Sequence, residues 1–418
     1  MKVVVFLNNL GLGGTEKAAC RWALGLQERG HRIVVLTLQD GPRRANLESQ
    51  GVPVRVLPAQ AEIVAMALRE IAPDVIHAHA PGHPHVGDVL GAALASLPKI
   101  PVVQTNIFGQ LYNPKEDAWT DFRLFISWTS CVQAARRVFR KLDKKFFRNA
   151  SVAVYPLDPV DPPAQEAVMA LRRQWGVRLD EVLFGRFSRP DPNKWTNLAL
   201  DAFCLALKRE GAIKLLLREP PAEVVNRLRN RPEKDRFIIL KATNDAAELK
   251  LNMAAVDVVL HTSSIGESFG YGIAEPMSLG KPVVTHSVPW ADEAQIELVR
   301  HGECGFVAST PRSMARSMAD LARSPELRVR LGRAAQQLVG QIADPGKSID
   351  RLEAVLNAVA QKQGNPWMSE DICRCKEAAD HLSRHQYGHE FGEWVALCPL
   401  HWRVRLHQFR RYLFNRSL

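Results

Sequence analysis

Two glutamates, Glu267 and Glu275, flank a glycine-bearing turn in the stretch Gly266-Glu267-Ser268-Phe269-Gly270-Tyr271-Gly272-Ile273-Ala274-Glu275. The run 256–260 before it is rich in valine and reads as a buried strand, and the residues after Gly270 read as a helix. A helix starting there turns the backbone N–H groups of Phe269 and Gly270 toward an anion, and its dipole adds about 0.3–1 kcal/mol of attraction. A diphosphate suits that place. Glu275, about two turns into the expected helix, can accept hydrogen bonds from a vicinal diol such as that of a ribose. Glu267, in the loop, can face a transferred group. Either acid alone is ordinary on a surface helix; the pair around a Phe-Gly turn favours a binding site.

A second basic element, Gly185-Arg186-Phe187-Ser188-Arg189-Pro190-Asp191-Pro192-Asn193-Lys194, follows another strand. A guanidinium bridges two phosphate oxygens while an ammonium supplies a compact charge, and each charge-assisted bond contributes about 1.5–3 kcal/mol. Arg186 and Lys194 are therefore expected on a leaving diphosphate. Arg189 is expected to spend itself in a solvated pair with Asp191. Near the start, Gly11-Leu12-Gly13-Gly14 follows a strand, but the third glycine of a dinucleotide fingerprint would fall on Glu16. An anion there opposes a pyrophosphate, so hydride-transfer chemistry is excluded and the glycines are read as a close-approach loop or a packing turn.

Histidines 77, 79, 83 and 85 cluster after the run Val75-Ile76, where packing or contact with an acceptor is a better reading than a metal site. In the C-terminal stretch, Cys373, Cys375, Cys398 and His401 have the chemistry of a structural zinc site, against the commoner outcome of free thiols. The segment 133–149 carries Arg136, Arg137, Arg140, Lys141, Lys144, Lys145 and Arg148 against one acid, with apolar residues at helical spacing. That pattern fits either a helix lying on an anionic membrane or one packed on its own domain. Nucleic acid is not expected, because the basic residues interleave with aliphatics and no recognition module accompanies them.

The elements that must position these groups alternate. Valine- and isoleucine-rich runs at 3–7, 33–38, 54–57, 75–77 and 102–103 separate helical stretches, and the alternation restarts at 182–184, 214–217, 237–240, 256–260 and 282–285. Each set predicts a parallel sheet covered by helices. Between them Pro156, Pro159, Pro162 and Pro163 break regular structure. The expected division is 1–157, a linker at 158–165, a second domain at 166–361 and a helical, basic tail at 362–418. Such a length suits two cores. Seven scattered cysteines do not form a disulfide framework, and no run is long and apolar enough for a signal core or a spanning helix, which leads to the expectation of a cytoplasmic protein, peripheral to the membrane if attached at all. With 55 basic and 44 acidic side chains the net charge of +11 calls for an acidic partner.

Over residues 1 to about 360 the chain resembles the retaining GT-B glycosyltransferases of family 4, also called group 1. The resemblance rests on Glu267 and Glu275 with seven residues between them, on Gly185, Arg186 and Lys194, on Pro73-Asp74-Val75-Ile76-His77-Ala78-His79, on the Gly11 to Glu16 turn and on Val154-Tyr155-Pro156. It implies two Rossmann-like αβα domains facing across a cleft, no cofactor and no catalytic metal. It implies a nucleoside diphosphate sugar as donor and a glycan, lipid-linked or other hydroxyl acceptor, in cell-surface polysaccharide or glycolipid synthesis. By the same resemblance Glu275 holds the ribose, Glu267 the donor sugar, and Arg186 and Lys194 the diphosphate, with Ser268, Phe269, Gly270, Gly13 and Gly14 also at the donor.

Two departures from the family pattern matter. The Pro190-Asp191-Pro192 insertion lengthens the spacing from arginine to lysine. Where many members carry a histidine near the donor sugar, this chain reads Val103-Gln104-Thr105-Asn106, so Asn106 or Thr105, with His79, is the expected sugar or acceptor contact. An amide cannot shuttle a proton near neutral pH, which leaves a route assisted by the leaving phosphate. A nucleotide-sugar epimerase of related fold and a catalytically silent sugar-nucleotide-binding protein are the competing readings.

Overall fold

A computed structural model describes residues 1–80, 84–109, 114–139, 142, 144–229, 231–288 and 291–387. The chain divides into two compact units, one of Met1–Asp158 with Ala343–Ala379, the other of Pro159–Ile342 with the residues from Asp380 on. Each unit is built on a parallel sheet.

In the first unit β1 (Lys2–Asn9), β2 (Arg32–Gln39), β3 (Val54–Val56), β4 (Val75–Ala80), β5 (Val102–Asn106), β6 (Phe122–Phe125) and β7 (Ala150–Val152) lie in the order β3-β2-β1-β4-β5-β6-β7. Helices cover both faces, so the strands are apolar without alternation: Val3, Val4, Val5, Phe6 and Leu7 of β1 are all buried. Register follows, with Val4 opposite Val34 on one side and Ile76 on the other. The helix Gly14–Glu28 buries Ala18, Ala19, Trp22, Ala23 and Leu26, a three-and-four spacing that one face of a 3.6-residue turn requires.

In the second unit β8 (Val182–Phe187), β9 (Ile213–Arg218), β10 (Phe237–Leu240), β11 (Val258–Leu260), β13 (Val283–Thr285) and β15 (Gly305–Val307) run in the order β10-β9-β8-β11-β13-β15, and the short strands β12 (Gly266–Glu267) and β14 (Asp292–Glu293) pair with each other. Phe203, Met314 and Met318, from the helices Leu198–Leu207 and Pro311–Arg323, bury against Leu215, Leu217 and Leu260 of the sheet. Full burial of each such side chain contributes about 1.5–3 kcal/mol.

Three helices follow β15, Pro311–Arg323, Pro325–Ile342 and Pro345–Ala360, each started by a proline in its first turn. The last of them corrects the expected division at 361. Pro345–Ala360 belongs to the first unit, where Ser348 Oγ accepts from Trp22 Nε1 at 2.8 Å and a Cβ at Gly25 would lie 2.2 Å from Ile349 Cδ1. A helical apolar period does not say which sheet it will cover. The basic segment is likewise two helices, Trp128–Phe139 and Lys144–Phe147, the second burying Phe146 and Phe147 in its own unit. Among the described residues no helix is long and apolar enough to cross a membrane.

Candidate active site

Parallel sheets bind ligands beyond the carboxyl ends of their strands, at the point where successive strands diverge to opposite sides. In the second unit that point lies between β8 and β11. Arg186 stands near the end of β8, and His261, Thr262 and Ser263 follow β11. Gly272, in the first turn of the helix Tyr271–Ser278, comes so near that a Cβ there would sit 3.2 Å from the carbonyl oxygen of Phe187. The helix is capped by Gly270 at φ 97°, a left-handed backbone that favours glycine.

Arg186 is buried, with 1% of its surface exposed. Its Nη1 donates to Thr262 Oγ1 at 2.7 Å, Nη2 donates to the carbonyl oxygens of Thr262 and Lys194, and the guanidinium lies 4.5 Å from the centre of the Trp195 ring. Nε has no partner among the described residues. Burial lowers its pKa to about 9, partly offset by Glu267, and the group stays charged at neutral pH. The guanidinium thereby ties the loop bearing Lys194 to the end of β11.

Lys194 Nζ donates to Glu267 Oε1 at 2.6 Å and approaches the Gly266 carbonyl at 3.4 Å. The same Oε1 lies 2.9 Å from His261 Nε2, and the Glu267 N–H donates to Gln295 Oε1 at 3.0 Å. Burial alone would raise the Glu267 pKa. The charge of Lys194 and the hydrogen bond from His261 outweigh it and bring the carboxyl down to about 2, so Glu267 is a fixed anion near pH 7. Gly266, at φ 61°, cannot be replaced freely, since a Cβ would lie 1.8 Å from the Asp292 carbonyl oxygen.

The structure thus gathers Arg186, Lys194 and Glu267 into one cluster beside the start of the helix Tyr271–Ser278. Glu275 is on that helix, little more than one turn in rather than two, and half-buried. Ser268 donates its hydroxyl to Asp292 Oδ2 at 2.6 Å, and the Phe269 ring is buried edge-on to Tyr271 at 4.9 Å. Both side chains build the turn. The expected pair of Arg189 with Asp191 does not form among the described residues; Asp191 instead accepts from the Asn193 N–H at 2.9 Å and caps the 3₁₀ turn Pro192–Lys194. Asparagine and aspartate side chains favour that local bond. His261, Thr262, Trp195 and Gln295 were not expected. A polar residue directly after a central parallel strand was the available signal for His261, whereas Gln295 reaches Glu267 from 28 positions away.

In the first unit the divergence point lies between β1 and β4. His77 and His79 share one face of β4 with ring centres 4.3 Å apart, packed on Trp22, and His77 Nε2 bonds Thr105 Oγ1 at 2.7 Å. Burial lowers the His77 pKa to about 3 and that of His79 well below its ordinary value, His77 adding to the shift. Both nitrogens of His79, Nδ1 of His77 and Oδ1 of Asn106 are buried without a partner among the described residues. At the N-terminus of the helix Gly14–Glu28, the side chain of Glu16 folds back so that a Cβ at Gly13 would lie 2.2 Å from its Oε2. Its own carboxylate therefore occupies the neighbourhood where a phosphate would bind.

Among the described residues no group of three or more histidine, cysteine or acidic side chains could hold a metal ion. Cys373 is exposed and Cys375 buried on the helix Met368–Tyr387, so the two thiols face different ways; Cys398, His401 and His83 lie outside the described residues.

Two family models match the chain in succession, the glycosyl transferase 4-like domain over residues 13–178 and glycosyl transferases group 1 over residues 170–338. Solved structures share the fold. HepE of Anabaena, in complex with UDP and glucose, has a TM-score of 0.68 and 21% identity, covering 85% of this chain and 99% of its own. A glycosyltransferase of Rickettsia africae gives 0.68 at 14% identity, with 86% and 98% covered. The catalytic domain of starch synthase IV of Arabidopsis thaliana, bound to ADP and acarbose, gives 0.62 at 14% identity, with 86% and 99% covered. No curated protein matches the sequence. The two parallel-sheet units and these neighbours define a GT-B fold. The chain belongs to the group 1 glycosyltransferases.

Proposed function

We propose that the enzyme transfers a sugar from a nucleoside diphosphate donor to a hydroxyl of a glycan or lipid-linked acceptor, with retention of configuration, in the synthesis of a cell-surface polysaccharide or glycolipid. The observation that carries this is the cluster of Arg186, Lys194 and Glu267 at the start of the helix Tyr271–Ser278. Two cations and a helix N-terminus suit a diphosphate whose negative charge grows as the sugar leaves. Glu275 accepts from the ribose diol, Glu267 from a hydroxyl of the transferred sugar, and the backbone of the Ser268-Phe269-Gly270 turn approaches the diphosphate. His79, Thr105 and Asn106 contact the sugar or the acceptor. Because Glu267 is held as an anion, it serves as an acceptor and a charge, and the leaving phosphate receives the acceptor proton. The exposed cations Arg136, Lys144, Lys145 and Arg148 support docking of the enzyme on an anionic cytoplasmic membrane surface, each adding about 1 kcal/mol.

Purified protein incubated with UDP-, GDP- and ADP-sugars and a membrane extract is expected to release one nucleoside diphosphate, with kcat/KM about 100-fold lower in Glu275→Ala. Tight donor binding without release would favour a silent binding protein, and conversion of the donor without an acceptor an epimerase. Failure to sediment with anionic vesicles at low salt would remove the membrane element.

A further inference from the structure

Resting on the transfer reading above, we infer that His261 is the positioning residue of this site: steadied by Thr285 on one side and donating to Glu267 on the other, it holds one oxygen of Glu267 so that the other is presented to a hydroxyl of the transferred sugar. The imidazole bridges two elements, with Nδ1 3.3 Å from Thr285 Oγ1 at the end of β13 and Nε2 2.9 Å from Glu267 Oε1 in β12. A carboxylate only accepts, so the neutral ring carries its proton on Nε2; Nδ1 is then an acceptor and the Thr285 hydroxyl donates to it. Every titratable group around the ring bears on that state. Burial opposes a second proton most, the charges of Arg186 and Lys194 oppose it too, Glu267 alone favours it, and the neighbouring His286 is itself held neutral by burial.

Both His261 and Lys194 converge on Oε1 of Glu267, while Oε2 has no hydrogen-bond partner among the described residues. A lysine is a flexible point charge and would let the carboxylate swivel. Addition of a ring held at both nitrogens, with the Glu267 N–H on Gln295 and β12 paired to β14, fixes the plane of the carboxylate. The remaining lone pairs of Oε2 can only accept, so they select a sugar hydroxyl in one direction. His261 acts through Glu267 and touches no reacting atom itself.

The test uses the full chain and its His261→Gln, His261→Leu and Thr285→Val variants. Glutamine can present an amide N–H where Nε2–H stands. Turnover of the sugar nucleotide is measured beside calorimetric binding of the free nucleoside diphosphate, which does not reach Glu267 through a sugar. His261→Leu is expected to lower kcat/KM about 10- to 100-fold, with Thr285→Val falling less and His261→Gln recovering most of the loss. The Kd for UDP, GDP or ADP, whichever the wild type binds, should stay within about twofold throughout. A parallel loss of nucleotide affinity, or a leucine variant as active as wild type, would overturn the inference. If the leucine variant does not fold, the glutamine and Thr285→Val proteins carry the same comparison. Independently, 15N spectra of histidine-labelled protein, assigned by the missing signals of His261→Gln, should show a neutral ring protonated at Nε2 at pH 7. Protonation at Nδ1 or at both nitrogens would refute the arrangement. Should the wild type turn over no sugar nucleotide, the transfer reading falls, and these spectra, which need no donor, still decide the state of His261.

Discussion

At the divergence point of the first sheet, His77 and His79 are neutral rings packed at a tilt against Trp22, with nitrogens that no described residue satisfies. At the corresponding point of the second sheet, Arg186, Lys194 and Glu267 are charges, tied to one another's loops by hydrogen bonds from His261 and to Thr262 and Gln295. One scaffold thus carries two kinds of polar site. Charges in a dry interior hold their geometry only when paired, so the second site is organised before any ligand arrives. Neutral, unmet donors and acceptors suit hydroxyl groups, which can both give and receive a hydrogen bond.

The largest expected effect breaks the charged side of this contrast. Lys194→Ala leaves the partly buried Glu267 carboxylate with the imidazole of His261 alone, and chemical denaturation should show a loss of about 2 kcal/mol together with loss of turnover. An unchanged midpoint would mean that the pair contributes nothing to folding. A smaller effect sharpens the neutral side. The folded-state pKa of His77, about 3, lies below its ordinary value of 6.5, so its contribution to stability is present above pH 6.5 and is lost as pH falls toward 3. Replacement by phenylalanine should therefore flatten the decline of stability between pH 6 and 5 by about 1.4 kcal/mol per pH unit. His261 and His286, also held below their ordinary pKa by burial, keep part of the slope in place. Glu267 acts only in a lower window: depressed to about 2 from 4.5, it destabilises the fold on protonation as pH falls through that range. Least of all, Asn106→Ala should cost under about 1 kcal/mol, because Oδ1 has no described partner to lose, while its effect on sugar turnover should exceed its effect on stability.

Much of the fold was legible because parallel strands buried on both faces must be apolar through their centres, as in Val3-Val4-Val5-Phe6-Leu7 and Leu215-Leu216-Leu217. Residues grouped by local sequence, Glu267 with Glu275 and Arg186 with Lys194, were legible as candidates for the same reason: the turn that brings them together is short. The placement of Arg186 was not, since whether a guanidinium faces a ligand or ties down a loop depends on Thr262 and Trp195, which only folding brings near. His261 and Gln295 escaped because they act on Glu267 from other elements, the end of β11 and the helix Ala294–Leu298. Helix Pro345–Ala360 escaped too, its apolar stripe fitting either sheet equally well in sequence terms.

That helix has a consequence for synthesis on the ribosome. The second sheet, from β8 to β15, lies in one unbroken stretch, Pro159–Ile342, and has all its strands as soon as that stretch emerges. The first unit, although made earlier, lacks the partner of Trp22 and the side chain that seats on Gly25 until residues 343–379 follow. Vectorial folding is therefore inverted: the N-terminal half waits with an apolar flank uncovered while the later half assembles, and a nascent chain stalled near 342 would present that flank to chaperones.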